Sequence, residues 1–447
     1  MKKVMIFAAV AAIALASCAK VETFSNTEMD APVGFSAYSG NPLTKAGAYG
    51  EMNTTLLQAG FGVFAYKTTG NYDGSTDPNF MWNEDVAWSS DHWEYSPIKY
   101  WPNQLASGNT DSQGTPAQGY AVDKVSFFAY APYVAATPAT GAVASTDEGI
   151  TALTGNAATG DPKVTYKVTN DLDKQVDLVW GVSHGDTWNN VAGGTNTPTK
   201  FLPYLNLQKP AIGTPIHFYF HHALAQLKLQ AIAAYDVVSG AGTPEDGVKI
   251  TIDNVVVTVP GMYQTAVLNL NNDTVDNNGT PENPADDKAQ PKWESATGSS
   301  NLVFTDANAN INPNLQDKGN VHASAQASSG NGAGVIYKAP TYTTPFDSDV
   351  DVIMNGKYFT LIPKTDASVT VNVKITYYVT TDDSNLAAGH SRVENVISHD
   401  VVFSNGFKAG TRNVIRMILG ISEVKFEAEV LDWETGVSQD VNLPLNN

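Results

Sequence analysis

No long stretch of this chain carries apolar residues at the 3.6-residue spacing of a helix. They fall instead in short runs or strict alternation, broken repeatedly by Gly, Asn, Asp, Pro and Thr. Alternation of this kind gives a strand one buried and one wet face, so the pattern specifies an all-β fold. Strands are expected over 61–66, 125–130, 163–168, 176–180, 216–220, 224–231, 248–259, 358–362, 369–379, 400–403, 414–419 and 424–431. Val, Ile, Tyr, Phe and Thr dominate most of these. Segment 224–234 is rich in helix formers, yet Ala225, Leu227, Leu229 and Ala231 alternate with Gln226, Lys228 and Gln230, which reads as strand. Polar stretches at 107–120, 189–200, 271–291 and 308–334 read as loops.

With 447 residues, 42% hydrophobic and 10% aromatic, the chain can bury a sizeable core and has room for two to three domains. Gln208-Lys209-Pro210 and Gly213-Thr214-Pro215 punctuate it near the middle, which suggests domains over 46–212 and 213–447, each a β-sandwich. Charged residues are only 16%, and acids outnumber bases 45 to 26 for a net charge of −19. That balance argues against a general nucleic-acid or anionic-membrane binder, which needs basic patches.

The single cysteine, Cys18, rules out an intrachain disulfide, a cysteine-rich zinc site and a CxxC redox pair. It follows Met1-Lys2-Lys3, an apolar run from Val4 to Ala16, and Ser17. The run is too short to span a bilayer and reads as a secretory signal over 1–17. Leu15-Ala16-Ser17-Cys18 resembles the bacterial lipobox, in which Cys18 is acylated and becomes the first residue. The lipid would hold the precursor at a membrane, each buried methylene contributing about 0.8 kcal/mol. Beyond it, Ala31, Val33, Phe35 and Ala37 alternate with Pro32, Gly34 and Ser36 as in a strand. Lys45-Ala46 follows in a small-residue context open to a trypsin-like protease.

Catalytic patterns are weak. Gly181-Val182-Ser183-His184-Gly185 matches G-x-S-x-G, but the helix that must follow a nucleophile elbow is replaced by a loop pattern. His217, His221 and His222 form the sole histidine cluster, with His222 on the opposite strand face from the other two. The acidic loop 273–287 lacks EF-hand spacing. No catalytic residue, metal site or cofactor is expected.

Several strings together resemble the fimbrillin family of Bacteroidales. They are Trp93-Glu94-Tyr95-Ser96-Pro97-Ile98-Lys99-Tyr100-Trp101-Pro102, Val125-Ser126-Phe127-Phe128-Ala129-Tyr130-Ala131-Pro132, Val176-Asp177-Leu178, Phe220-His221-His222-Ala223-Leu224-Ala225, Tyr358-Phe359-Thr360-Leu361-Ile362-Pro363 and Val424-Lys425-Phe426-Glu427-Ala428 before Asp432-Trp433. The resemblance covers nearly the whole chain. It implies two transthyretin-like β-sandwich domains in tandem, export to the outer membrane as a lipoprotein, and assembly with other subunits into a cell-surface fimbria. It also implies removal of residues 18–45 by a maturation protease. Thr44-Lys45-Ala46 stands where the family carries Thr-Arg-Ala, so cleavage between Lys45 and Ala46 need not be by an Arg-specific enzyme. The discarded segment would carry the strand Ala31, Val33, Phe35 and Ala37. The chain end offers the same period in Val437, Val441, Leu443 and Leu445, interrupted only by Gln439, a donor strand within 437–447. Asp273-Thr274-Val275 resembles an O-glycosylation sequon of Bacteroidota, with Thr274 as acceptor. A surface lipoprotein or tip adhesin, binding glycan or a host ligand through Trp93, Tyr95, Tyr100 or Trp101, is the alternative reading. Packing of those aromatics in a core or rim is the plainer one.

Overall fold

A computed structural model describes residues 31–39, 52–102, 123–145, 148–190, 194–210, 213–233, 248–277, 280–304, 350–351, 358–365, 367–382, 385–387, 389–419 and 424–433. In chain order the first half holds β1 (Phe35–Ser39), β2 (Phe61–Thr68), β3 (Met81–Ser89), β4 (His92–Glu94), β5 (Lys124–Ala131), β6 (Gly149–Leu153), β7 (Lys163–Lys167), β8 (Val179–Val182), β9 (Trp188–Asn189), β10 (Thr195–Asn196), β11 (Tyr204–Leu207) and β12 (Ile216–His222). The second half holds β13 (Ala225–Ala233), β14 (Val248–Asn269), β15 (Val275–Asp276), β16 (Lys288–Ala289), β17 (Lys292–Phe304), β18 (Val350–Asp351), β19 (Phe359–Leu361), β20 (Val369–Asp382), β21 (His390–Phe403), β22 (Thr411–Leu419) and β23 (Val424–Asp432). A short helix, α1 (Thr54–Gln58), is capped by Asn53, whose side chain accepts the Leu56 N–H at 3.0 Å. The protein is all-β, as its alternation requires.

The main sheets are three. An eight-stranded sheet runs β1-β12-β8-β5-β2-β3-β4, with β11 added on β5. A five-stranded sheet runs β18-β13-β22-β23, with β19 on β13, and a six-stranded sheet runs β21-β20-β14-β7-β6, with β17 on β14. Strands from both sides of residue 212 share two of these sheets. The first-half strand β7 pairs with the end of β14, from Thr265↔Lys167 to Asn269↔Lys163. β1, which precedes residue 46, pairs with β12, which follows 212.

The central strands of the large sheet are buried on both faces, and this accounts for their unbroken apolar sequence. On one face Phe64, Tyr66, Phe128, Tyr130 and Trp180 join a large core with Leu227, Leu229, Ile415, Val373 and Phe359 of the other sheets. On the opposite face Phe61, Val63, Phe127, Phe218 and Phe220 form a second core. Among the described residues neither of the other two main sheets covers that one. It is closed by Ala31, Val33 and Phe35, by Met52 and Leu57 around α1, and by Trp101 and Trp188.

Two of the strings singled out in the sequence meet in a buried polar contact. The Asp177 carboxylate lies 2.8 Å from His222 Nδ1 and accepts the Met52 N–H at 2.8 Å. The His222 ring stacks on Trp433 at 3.7 Å, so one pair fixes the chain near both ends of its described body. Removing one partner of a buried pair strands the other without solvent. Asp177→Ala is expected to lower unfolding free energy by about 3–5 kcal/mol, measured by urea denaturation.

Candidate functional site

The segment Ala31–Ser39 is built into the second core. Its first part is held antiparallel to the chain around Tyr100. Val33 N–H donates to the Lys99 carbonyl and Trp101 N–H to the Ala31 carbonyl, both at 2.8 Å. The second part, β1, lies parallel to β12, from Phe35↔Ile216 to Ser39↔Phe220, and Ile216 N–H donates to the Gly34 carbonyl at 2.8 Å. Among the described residues β1 is thus the terminal strand on the β12 side, paired on one edge only.

Alternation sorts its side chains. Ala31, Val33 and Phe35 are buried, and Ala37 packs partly against the same core. Phe35 sits among four rings: Tyr95 at 5.4 Å, Phe127 and Phe218 at 6.0 Å, and Phe61 at 6.5 Å. The other face meets β12 through Ser36, hydrogen-bonded to the His217 ring, and Tyr38, 5.5 Å from Tyr219. Lifting Ala31–Ser39 away would leave an apolar groove floored by Phe61, Phe127 and Phe218, with the β12 edge and the Lys99 carbonyl open beside it.

Tyr95 is a clip that sequence reasoning missed. Its hydroxyl donates to the Val33 carbonyl at 2.8 Å and accepts the Lys99 N–H at 3.1 Å. Burial pushes its pKa up to about 12, so it stays a donor. The signal was the aromatic string 93–101, which the structure divides. Tyr95 and Trp101 are buried, Trp93 is half-buried over Phe61 at 5.1 Å, and Tyr100 is exposed.

The remaining sequence candidates are dispersed. Ser183 is fully buried, its Oγ accepts the Gly185 N–H at 2.9 Å, and the next element is the short β9 rather than a helix. His221 packs edge-on to Phe201 at 5.4 Å, away from the Asp177 contact of His222. Among the described residues no three His, Cys, Asp or Glu side chains converge as a metal site, and no helix is long and apolar enough to cross a membrane. Thr274 stands exposed before β15. Cys18, Lys45, Ala46, Val437, Val441, Leu443 and Leu445 lie outside the described residues.

Burial holds the His217 ring below its ordinary 6.5, with the Asp186 charge opposing. A base whose folded pKa is depressed contributes stability while neutral, and this is lost as pH falls below the unfolded pKa, when the released ring protonates first. Thermal unfolding should therefore shift down between about pH 7.5 and about pH 5, and His217→Gln should shrink that shift.

No family model matches the chain. It is similar to the fimbrium subunit Fim1C of Phocaeicola vulgatus, with 26% identity over 97% of each chain. The fold is shared with a fimbrial protein from Bacteroides vulgatus solved by crystallography, with a TM-score of 0.56 at 22% identity, covering 90% of this chain and 99% of that one. The resemblance to the Bacteroidales fimbrillins therefore holds along the whole chain and in its all-β fold.

Proposed function

We propose that the protein is a structural subunit of a cell-surface fimbria, matured by removal of the segment that carries β1. The carrying observation is the way Ala31–Ser39 is seated: one edge-paired strand and three buried apolar side chains help close a core that, among the described residues, neither of the other main sheets covers. Similarity to a fimbrium subunit supports the setting. In this reading Cys18 is acylated and brings the precursor to the outer membrane. A protease then cuts between Lys45 and Ala46, in the stretch joining β1 to α1.

Loss of β1 exposes the groove and an unpaired β12 edge, a template for another chain. The strand that replaces it comes from the 437–445 segment of a neighbouring subunit. Burying Val33 and Phe35 gives roughly 3–6 kcal/mol, whereas Val437, Val441, Leu443 and Leu445 offer roughly 6–12 kcal/mol before ordering costs, both upper figures. The exchange therefore runs toward the polymer, and the cut makes it irreversible. The partners are other fimbrial subunits and the maturation protease.

N-terminal sequencing of surface-sheared material is expected to give Ala46 in high-mass polymer. A start at Cys18 in monomer would instead favour the static lipoprotein or adhesin. Deleting 437–447 should leave a folded monomer, by circular dichroism, that cannot enter fibres seen by electron microscopy; normal fibres from that deletion would refute strand donation.

A further inference from the structure

We propose that the free edge of β21 is an interface between two copies of this chain, paired antiparallel about a two-fold axis at Val396. β21 pairs with β20 along its length, from Val369↔Phe403 to Asp382↔His390, with no register shift. Among the described residues β20 is its sole sheet partner. Along its 14 residues the other edge carries no ladder partner among the described residues, and its backbone donors and acceptors face outward there. Three of the usual guards of such an edge are missing: the strand holds no proline, no lysine and no bulge, and its charges are of both signs.

The side chains select the partner. Val401 and Phe403 are buried toward the core, so Arg392, Glu394, Val396, Ser398 and Asp400 share the outward face, and Val396 is 52% exposed. Against a reversed copy with Val396 opposite Val396, Arg392 falls opposite Asp400 and Glu394 opposite Ser398, and both pairs recur across the axis. Other registers are poorer. An axis at Val393 also sets Arg392 opposite Glu394, but it overlaps only residues 390–396 against 390–402 for the axis at Val396. An axis at Glu394 or Asp400 sets acid on acid, and one at Ile397 brings Glu394 opposite Asp400. An axis at Asn395 or Ser398 loses the Arg392–Asp400 pairs.

These charges are already held in place by β20. The Arg392 guanidinium lies 3.8 Å over the Tyr378 ring, and its Nε has no hydrogen-bond partner. The Tyr378 hydroxyl donates to Glu394 at 2.9 Å, and Asn372 Nδ2 donates to Asp400 at 2.7 Å. With a net charge of −19 two copies repel in general, so a contact between them needs compensated charge, as Arg392 opposite Asp400 supplies. The result is one continuous sheet across two subunits.

Sedimentation equilibrium of the full chain carrying Cys18→Ser is expected to show a monomer–dimer equilibrium between about 1 μM and about 1 mM. Arg392→Glu should weaken it by about tenfold or more, and Arg392→Asp combined with Asp400→Arg should restore it. Val396→Cys should oxidise to a covalent dimer. Ser398→Cys should not, because its two copies lie roughly 13 Å apart along the strands. Both cysteines replace exposed side chains, and circular dichroism confirms that each variant is folded. A chain that stays monomeric over that range, a charge swap that fails to restore pairing, or equal crosslinking at 398 and 396 overturns the proposal.

Discussion

The structure turns on strands that are buried on both faces. Once β2, β5 and β8 spend one face on the core shared with the other sheets, their second face still carries Phe61, Val63, Phe127 and Ala129, which water cannot be allowed to reach. A further large sheet stacked there would solve this. Here the cover is assembled from pieces: α1, the loop bearing Trp101, β9 with Trp188, and above all Ala31–Ser39. Such a cover seals the core while resting on few backbone partners, which is what the proposed replacement of β1 requires. Its hydrogen bonds run to one strand edge and one turn, so another strand of the same period satisfies the same groups.

The sequence disclosed the strands whose burial is two-sided or cleanly alternating. β2, β5, β12, β20, β22 and β23 appear where 61–66, 125–130, 216–220, 369–379, 414–419 and 424–431 were expected. β13 is a strand despite its helix-forming residues, because its Gln226 is buried and bonded, the side chain by Arg412 Nε at 2.8 Å and the carbonyl by Asn413 Nδ2 at 2.9 Å. Partners of that kind cannot be read from a local pattern. β3, β4, β6, β11 and β17 escaped notice, as did the two-residue strands β9, β10, β15, β16 and β18, three of them in stretches read as loops, and of β21 only 400–403 was legible, where Val401 and Phe403 face the core. Its remainder lies at an edge whose outward face is charged, so hydropathy carries no period there. β14 extends past Pro260 and Gly261 to Asn269, a proline that locally reads as a stop.

The groove was half legible. Alternation picked out Ala31, Val33, Phe35 and Ala37 without naming their partners, since β12 lies far along the chain and parallel pairing leaves no hairpin signal between them. The Tyr95 clip was hidden for a different reason. A tyrosine among tryptophans reads as packing, and only the position of its hydroxyl over the Val33 carbonyl makes it a latch. The polar pairs are similarly invisible: nothing in Val176-Asp177-Leu178 predicts that its carboxylate will meet His222 and the Met52 N–H.

The two surfaces proposed for association differ in symmetry, and that difference sets what each can build. Strand entry into the β12 groove joins two unlike parts of the chain, a heterologous contact that need not close on itself and so can extend a filament. Pairing of β21 with itself is isologous and stops at two. The two contacts also use different sheets, β12 at one edge of the eight-stranded sheet and β21 at one edge of the six-stranded sheet, so neither consumes the backbone groups of the other. A subunit with both would tie filaments side by side. It would do so through opposed charges on neighbouring strands rather than through a buried core, which leaves the lateral contact weaker and salt-sensitive while the axial one stays durable.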